Sequence, residues 1–435
     1  METFTYSGTF RVDDRIAAPW HYLPVEVPAG ASALLVTLSC PQQGGAVIDL
    51  GCLGPGGVFR GWSGGARESF AVSEAGATPG YLAGAAEPGL WQVVLGLHLV
   101  PADGLPYTVT AEPVASSGSA LAGLLAQHGA VDPESGALLG DSPLLGDSLL
   151  LGDSLLPPTP TERPAGRPLP APDGLTWLAG DLHTHTVHSD GVMSVAELAV
   201  YAAERGLDFV AVTDHNTVSH HASLSRLSAR YGVMLLPGQE VTTEAGHAGV
   251  LGDTGWIDFR TPAPSWLTAT EARGGLMSVN HPFAGHSSWL HPMPKRPPLL
   301  EVWHWSWLDL SWTTPLSWWQ AWDPSAIPVG GSDWHRPGSD APLGTPTTWV
   351  ACASPDTTGV LDGLRAGRVA ISAARDGAVL LREPDALVAV GADGLVLMGP
   401  QGPVCRVSGD LALLPAAPGY HRLLTLAGTT VALTA

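Results

Sequence analysis

Through residues 1–114 apolar and polar positions alternate in short runs divided by Gly and Pro, as in Ala33-Leu-Leu-Val-Thr-Leu, Leu90-Trp-Gln-Val-Val-Leu and Tyr107-Thr-Val-Thr-Ala. A period of two sends every second side chain to one face of a strand, so half-buried strands joined by turns are expected, and a β-sandwich with them. Residues 115–170 lose that alternation. Leu-Leu-Gly-Asp-Ser recurs from 138, 144 and 150, and a proline-rich tract follows (Pro157-Pro-Thr-Pro, then Pro164 to Pro172). Such composition reads as a low-complexity linker.

From 175 the pattern changes to β/α. Leu175-Thr-Trp-Leu-Ala-Gly-Asp-Leu predicts a strand, and Ser194-Val-Ala-Glu197 a capping box that starts a helix stopping near Gly206. Leu207-Asp-Phe-Val-Ala-Val-Thr predicts a buried strand. Val233-Met-Leu-Leu-Pro, Leu276-Met-Ser-Val-Asn and Ile327-Pro-Val-Gly-Gly predict three more. Ser354-Pro355 supplies an N-cap and a first-turn proline for a further helix, with Gly367 as its stop. Residues 376–435 return to short alternating runs and read as a small β-rich appendage.

Polar residues of metal-binding type follow these apolar runs. They are His183 and His185 in Gly-Asp-Leu-His-Thr-His-Thr, Asp190 in Ser-Asp-Gly, His215 in Thr-Asp-His-Asn, and Glu240 and His247 in Gly-Gln-Glu-Val-Thr-Thr-Glu-Ala-Gly-His. Asn280-His281-Pro282 and Gly331-Ser-Asp333-Trp-His335 complete the series. All but His247 fall at the C-terminal end of an apolar run. In a closed parallel barrel those ends share one face, which is how residues 150 positions apart would meet. His183 and His185 are two apart, so on an extended strand they face the same side. A Glu240 carboxylate offers two oxygens and can bridge two ions. Imidazole with carboxylate suits Zn, Mn or Fe, so two or three divalent ions are expected without the element being chosen.

The order of these motifs resembles the polymerase and histidinol phosphatase (PHP) superfamily over about 175–340. The resemblance implies an α/β fold over 171–375, a distorted (β/α)7 TIM-like barrel with a two- or three-metal centre. It assigns His183, His185, Glu240 and Asp333 to a first ion, Glu240, His247 and His281 to a second, and Asp190, His215 and His335 to a third. It also implies phosphoester hydrolysis, for which the ligand chemistry suggests a metal-bridging hydroxide with His335, His215 or a metal-bound water assisting the leaving group. A closer likeness is to the carbaryl-hydrolase-like branch, through Gly238-Gln-Glu-Val-Thr-Thr-Glu-Ala-Gly-His-Ala, Gly344-Thr-Pro-Thr-Thr-Trp-Val and Gly363-Leu-Arg-Ala-Gly-Arg-Val-Ala-Ile-Ser. That branch implies a carboxyl ester or carbamate hydrolase as the alternative. A metal-stabilised module without activity is the third reading.

Nine tryptophans lie between 289 and 334, a density that suggests an apolar pocket wall as well as core packing. Trp303, Trp305 and Trp307 would share one face of a strand and His304 the other. With Arg336, a candidate phosphate anchor, Trp303, His304 and Trp305 form the expected substrate-binding set for a small-molecule ester. Lys295, Arg296 and Arg273 are further candidate anchors. The 435-residue chain carries 20 basic and 40 acidic residues, a net charge of −20. That balance argues against nonspecific nucleic-acid binding, which needs clustered cations. No apolar run is long enough for a membrane span and no secretory signal is visible, so a cytoplasmic location is expected. The four cysteines form no Cys-x-x-Cys pair, and Cys40–Cys52 is the one disulfide worth considering. The oligomeric state is left open.

Overall fold

The computed structural model describes residues 1–41, 45–136, 139, 156–339 and 341–435. All of the Leu-Leu-Gly-Asp-Ser repeat except Leu139 lies outside the described residues. The chain forms two compact units. One comprises Met1–Pro157 with Thr186–Ala196 and Asp214–Arg226, and the other Pro158–His185, Glu197–Thr213 and Leu227–Ala435.

The first unit contains two antiparallel sheets. One orders its strands Phe4–Phe10, Leu105–Val114, Ala33–Ser39, Ser69–Ser73 and Gly76–Ala77. The other orders them Trp20–Val27, Gly89–Leu99, Val47–Leu53 and Phe59–Gly64. Alternate residues from both sheets meet in one core, with Val25, Leu34, Val36, Leu50, Phe70, Trp91, Val93 and Leu95 fully buried or nearly so. Each such side chain stabilises the fold by about 1.5–3 kcal/mol relative to exposure. The alternating positions thus lie on two antiparallel sheets that share one core. Residues Gly118–Gln127, which the sequence places in the linker, form a helix. Its Leu125 is completely buried beside Ala33, Leu35 and Ala71, and Leu121 and Leu124, on the same i, i+3, i+4 stripe, pack against that cluster.

The second unit is α/β. Its main sheet orders the strands Ile327–Gly330, Leu299–Trp303, Leu276–Asn280, Gly246–Leu251, Met234–Thr243, Phe209–Val212, Thr176–Thr184, Thr347–Cys352, Val369–Ser372, Thr430–Thr434, His421–Leu424, Val396–Gly399 and Gly402–Arg406. Pairing is parallel from Thr176–Thr184 through Phe209–Val212 to Met234–Thr243, and again from Leu276–Asn280 to Ile327–Gly330. Gly246–Leu251 runs antiparallel between those two groups. One antiparallel strand thus separates two parallel groups in this sheet. Two further contacts bring the Ile327–Gly330 edge back to the strands at the middle of the order: the bridge Thr184–Trp334 and the Gly330 N–H donated to Thr348 Oγ1 at 2.9 Å. Leu178, Phe209, Leu236, Leu276, Leu299, Val329 and Val350 fill the core. Gly180 permits this packing, because a Cβ there would lie 2.3 Å from Phe209 Cε2.

Several local expectations are corrected. The strand expected to stop just before Glu240 runs on to Thr243, because an antiparallel hairpin partner, Gly246–Leu251, pairs its second half. The helix near 354 begins at Thr357 and is capped by Asp356, whose Oδ1 accepts the Gly359 N–H at 2.8 Å, rather than by Ser354 with Pro355 in the first turn. Residues 376–435 are more than an appendage. Thr430–Thr434 pairs with Val369–Ser372 in the main sheet, and Val379 and Leu381 share a core with Trp177 and Trp349. All four cysteines are free thiols, so the Cys40–Cys52 bridge is absent. Among the described residues no helix is long and apolar enough to cross a membrane.

Candidate metal centre

The second unit gathers His183, His185, Glu240, His247, His281, Asp333 and His335 from five segments. His183 is the penultimate residue of the strand Thr176–Thr184, whose register against Phe209–Val212 shifts between Asp181 and Thr184. An irregularity of this kind re-aims side chains at a strand end. Glu240 lies four residues beyond the core residue Leu236 on a continuous strand, hence on the same face. His281 directly follows the buried strand Leu276–Asn280. Asp333 and His335 follow Ile327–Gly330, and the His185 N–H donates to Trp334 O at 2.9 Å, pinning the two ligand-bearing segments together.

Glu240 is the hub. Its Oε1 lies 3.0 Å from His183 Nε2, 3.2 Å from His281 Nε2 and 3.4 Å from His247 Nδ1, and its Oε2 lies 3.7 Å from His185 Nε2. Asp333 Oδ1 is 2.9 Å from His185 Nε2 and 3.2 Å from His183 Nε2. Glu240, His183, His185 and His281 are essentially excluded from solvent. Burial alone would lower the His183 pKa, but the negative charges of Glu240, Glu301 and Asp333 outweigh it and hold the imidazole well above its usual range. His281 is raised for the same reason, with burial opposed by its hydrogen bond to Glu240. Burial acts to raise Asp333, yet the His183 charge and bonds from His185 and His304 place it well below the ordinary carboxylate range. Buried imidazoles and carboxylates held in this alternation form a donor set that fits divalent cations, which bind after the imidazole protons leave.

Two of these residues sit in the left-handed backbone region that few residues other than glycine adopt, His281 at φ 26° and Asp333 at φ 52°. Each costs on the order of 1–3 kcal/mol unless its surroundings enforce it, and such residues concentrate at functional sites. His335 stacks on His185 with ring centroids 4.2 Å apart. Its Nδ1 lies 2.7 Å from Asp333 O; a carbonyl only accepts, so Nδ1 carries the proton and Nε2 presents the lone pair.

The remaining two candidates belong to the first unit, where His215 Nε2 is 3.6 Å from Asp190 Oδ1. The loops that carry them are organised by Asp214, whose neighbouring motif the sequence singles out for His215. Fully buried Asp214 accepts from Thr186 N at 2.8 Å, Thr186 Oγ1 at 2.7 Å and Ser189 Oγ at 2.7 Å. Sandwich residues secure the same loops. Arg67 donates to Val187 O, Gly80 N–H to Ser219 Oγ at 3.0 Å, and Thr217 Oγ1 to Gly80 O at 2.8 Å. His188 faces Ser219 Oγ at 2.7 Å, and burial together with the Arg67 and His221 charges pushes it down to about 3. Asp214→Ala would strand three buried donors, and chemical denaturation should show a loss of about 3 kcal/mol or more, since each abandoned buried donor costs about 1–3 kcal/mol. Unchanged stability would show that these bonds do not hold the loops.

The substrate-binding expectations fare unevenly. The strand ends at Trp303, and the Trp307 N–H donates to His304 O across a turn. Trp303, Trp305 and Trp307 therefore do not share one strand face. Trp303 and Trp307 are buried and Trp305 is 43 % exposed. Trp305 Nε1 donates to Asp333 Oδ2 at 3.2 Å, while His304 Nε2 lies 3.2 Å from the same oxygen. His304 is thus a buried partner of a candidate ligand rather than an open contact. Trp289, Trp319 and Trp334 are also core residues. Arg336 is exposed. The other proposed anchors are engaged: Lys295 pairs with Glu271 at 2.6 Å, Arg296 covers the Trp322 ring at 4.5 Å, and Arg273 donates to Thr254 O and Trp256 O at 3.0 Å.

Three residues of this site receive no role from sequence reasoning, although Asn280 appears there within the His281 motif. Asp181 accepts from His183 N at 3.1 Å, Ser332 N at 3.0 Å and Gly344 N at 2.8 Å, joining the His183 strand to the Asp333 loop. Asn280 donates to Glu240 Oε1 at 3.0 Å. Glu301 meets His183 and His281 from a strand that is otherwise apolar. The one available signal for Glu301 was a charge inside the apolar run Leu-Leu-Glu-Val-Trp.

Residues 181–275 match the family model of the PHP domain. The matched segment carries six of the nine expected ligands, His183, His185, Asp190, His215, Glu240 and His247. The chain is 27 % identical over 124 residues to an uncharacterised protein of Methanocaldococcus jannaschii, covering 25 % of this chain and 69 % of that one. It is 33 % identical over 70 residues to a 5'-3' exoribonuclease of Haemophilus influenzae, covering 16 % of this chain and 26 % of the relative. A crystal structure of a two-domain protein of Bacteroides vulgatus containing a predicted PHP-like metal-dependent phosphoesterase aligns with TM-score 0.42 and 16 % identity, over 62 % of this chain and 99 % of that one.

Proposed function

We propose that the chain is a metal-dependent hydrolase of phosphoesters, with a small-molecule ester as substrate. The observation that carries this reading is Glu240, one buried carboxylate within 3.4 Å of three imidazole nitrogens while Asp333 stands against His183 and His185. Of the expected ligands, His183, His185, Glu240 and Asp333 would hold one ion, and Glu240, His247 and His281 another. A third ion, with Asp190, His215 and His335, is proposed on the resemblance alone, as is the (β/α)7 barrel. Zn, Mn and Fe all suit the donors. When bound, such ions polarise the ester oxygen and acidify water.

The chain's own residues set the rest of the chemistry. His335, protonated on Nδ1 by its contact with Asp333 O, has Nε2 for proton transfer or ligation. Burial of Glu240 and its neighbours strengthens the electrostatic interactions between them. Half-exposed Trp305, tethered to Asp333, offers an aromatic face beside the centre. That face favours the second reading, a carboxyl ester or carbamate hydrolase of the carbaryl-hydrolase-like branch. The likeness to an exoribonuclease supports phosphoester over carboxyl ester, while the net charge of −20 disfavours a polyanionic polymer as substrate.

Metal-reconstituted protein assayed on aryl phosphate monoesters, phosphodiesters, aryl acetates and aryl carbamates separates the readings. Turnover of phosphate esters that chelation abolishes is expected. Turnover of carboxyl esters or carbamates alone would replace the first reading by the second. Metal uptake without turnover of any class would favour the module without activity.

A further inference from the structure

We propose that Glu301 is a positioning residue that fixes the tautomer of His183 and the backbone of His281, one carboxylate serving two of the imidazoles that face Glu240. The inference rests on the metal-binding reading above. Glu301 is the charged residue in the strand Leu299–Trp303, and only 2 % of its surface is exposed. A carboxylate removed from water to that extent needs partners for both oxygens. Oε1 lies 3.0 Å from His183 Nδ1, and Oε2 accepts the His281 N–H at 2.8 Å.

Each contact has a directional consequence. An ionised carboxylate only accepts, so His183 Nδ1 carries a proton. Nε2 is then the nitrogen turned toward Glu240 Oε1 and Asp333 Oδ1, at 3.0 and 3.2 Å. This is the orientation in which an imidazole ligates through Nε2 while its far N–H is held from behind. The second contact falls on the amide of a residue at φ 26° and supplies part of what enforces that conformation, keeping His281 Nε2 3.2 Å from Glu240 Oε1. The backbone opposite leaves room for the arrangement. A Cβ on Gly331 would lie 2.3 Å from Glu301 Oε1 and 2.5 Å from His183 Cβ, so a side chain at 331 would displace the pair. Glu301 also groups with His183, His281 and His304, whose potential ligand atoms all lie within 4.8 Å of one another. A direct ligand role would need His183 Nδ1 without its proton, whereas the positioning role uses both Glu301 contacts as they stand.

The test compares the full-length wild-type protein with Glu301→Gln, using Zn2+ as the probe. A glutamine keeps one acceptor oxygen and puts an NH2 where the other was, so it cannot accept from both His183 and His281. Chelator competition should show Zn2+ binding weakened about 10–100-fold, the usual scale for losing a partner behind a ligand. The number of ions bound at saturation should stay the same. Long-range 1H–15N correlation spectra of the Zn-loaded wild type, labelled in histidine, should place the His183 proton on Nδ1. Unchanged affinity in Glu301→Gln would overturn the proposal, and a loss of one ion at saturation would make Glu301 a ligand instead. A His183 proton on Nε2 in the wild type would also overturn it, even if the variant fails to fold. A wild type that takes up no Zn2+ would defeat the metal reading itself, a different outcome from a wild type that binds and a variant that binds equally well.

Discussion

Glu240→Gln is expected to cut metal-dependent turnover, with kcat falling ~10²–10³-fold, the scale on which losing one preorganised charge partner registers. The reason is geometric. Glu240 Oε1 is the common neighbour of His183, His281 and His247, and Oε2 faces His185, so the substitution replaces the one carboxylate that all four share. Asn280 already donates to Oε1, so a glutamine oxygen there keeps that bond and the strand Met234–Thr243 keeps its pairing. Glu240→Ala would be a poorer probe, because truncating one side of a buried charged contact typically costs about 3–5 kcal/mol of stability and confounds folding with function. The measurement is elemental analysis of bound metal beside turnover of the active ester. Full metal content and full turnover in Glu240→Gln would show that the carboxylate is no part of the centre.

The second large effect is the pH dependence of stability with and without metal. In metal-free protein His183 and His281 have raised pKa values, so their contribution to stability is complete below the unfolded histidine value of about 6.5. It is lost as pH rises through their folded values. Asp333 is depressed, so its contribution is present above the unfolded value of about 3.9 and lost as pH falls through its folded value. Metal-free protein should therefore weaken on the alkaline side of neutrality. A divalent ion reverses that limb, because it takes the place of the imidazole protons and binds more tightly as they leave. At 100 times its Kd an ion adds about 2.7 kcal/mol. Thermal melts of chelated and metal-loaded protein from pH 5 to 9 should diverge increasingly as pH rises. A metal-induced stabilisation that is greatest at the acid end would contradict the assignment of His183 and His281 to the centre.

Much of the site was legible in the chain. His183, His185, Glu240, His247, His281, Asp333 and His335 could be singled out because polar residues of one chemical type punctuate apolar runs. The partners behind them were not legible. Asp181 and Glu301 lie inside runs whose apolar periodicity signals core, and a buried carboxylate is explained only by the donors brought to it, Ser332 and Gly344 for Asp181 and His183 and His281 for Glu301. Trp303, Trp305 and Trp307 misled for the opposite reason. Alternation implies a shared face only while the backbone stays extended, and here the strand ends at Trp303.

The sequence by itself determined the local terms: the alternating strands of the first unit, the apolar runs of the second, and the residue types available to hold a cation. These depend on neighbours a few positions apart. The tertiary structure decided which side chains share a carboxylate, which imidazole nitrogen faces it, and where 376–435 belongs. It also decided that Thr186–Ala196 and Asp214–Arg226 group with the sandwich, through bonds such as Thr217 to Gly80 that span 137 positions. Those outcomes follow from satisfying buried polar groups across long loops, and a buried donor's partner is chosen by proximity in space rather than by spacing along the chain.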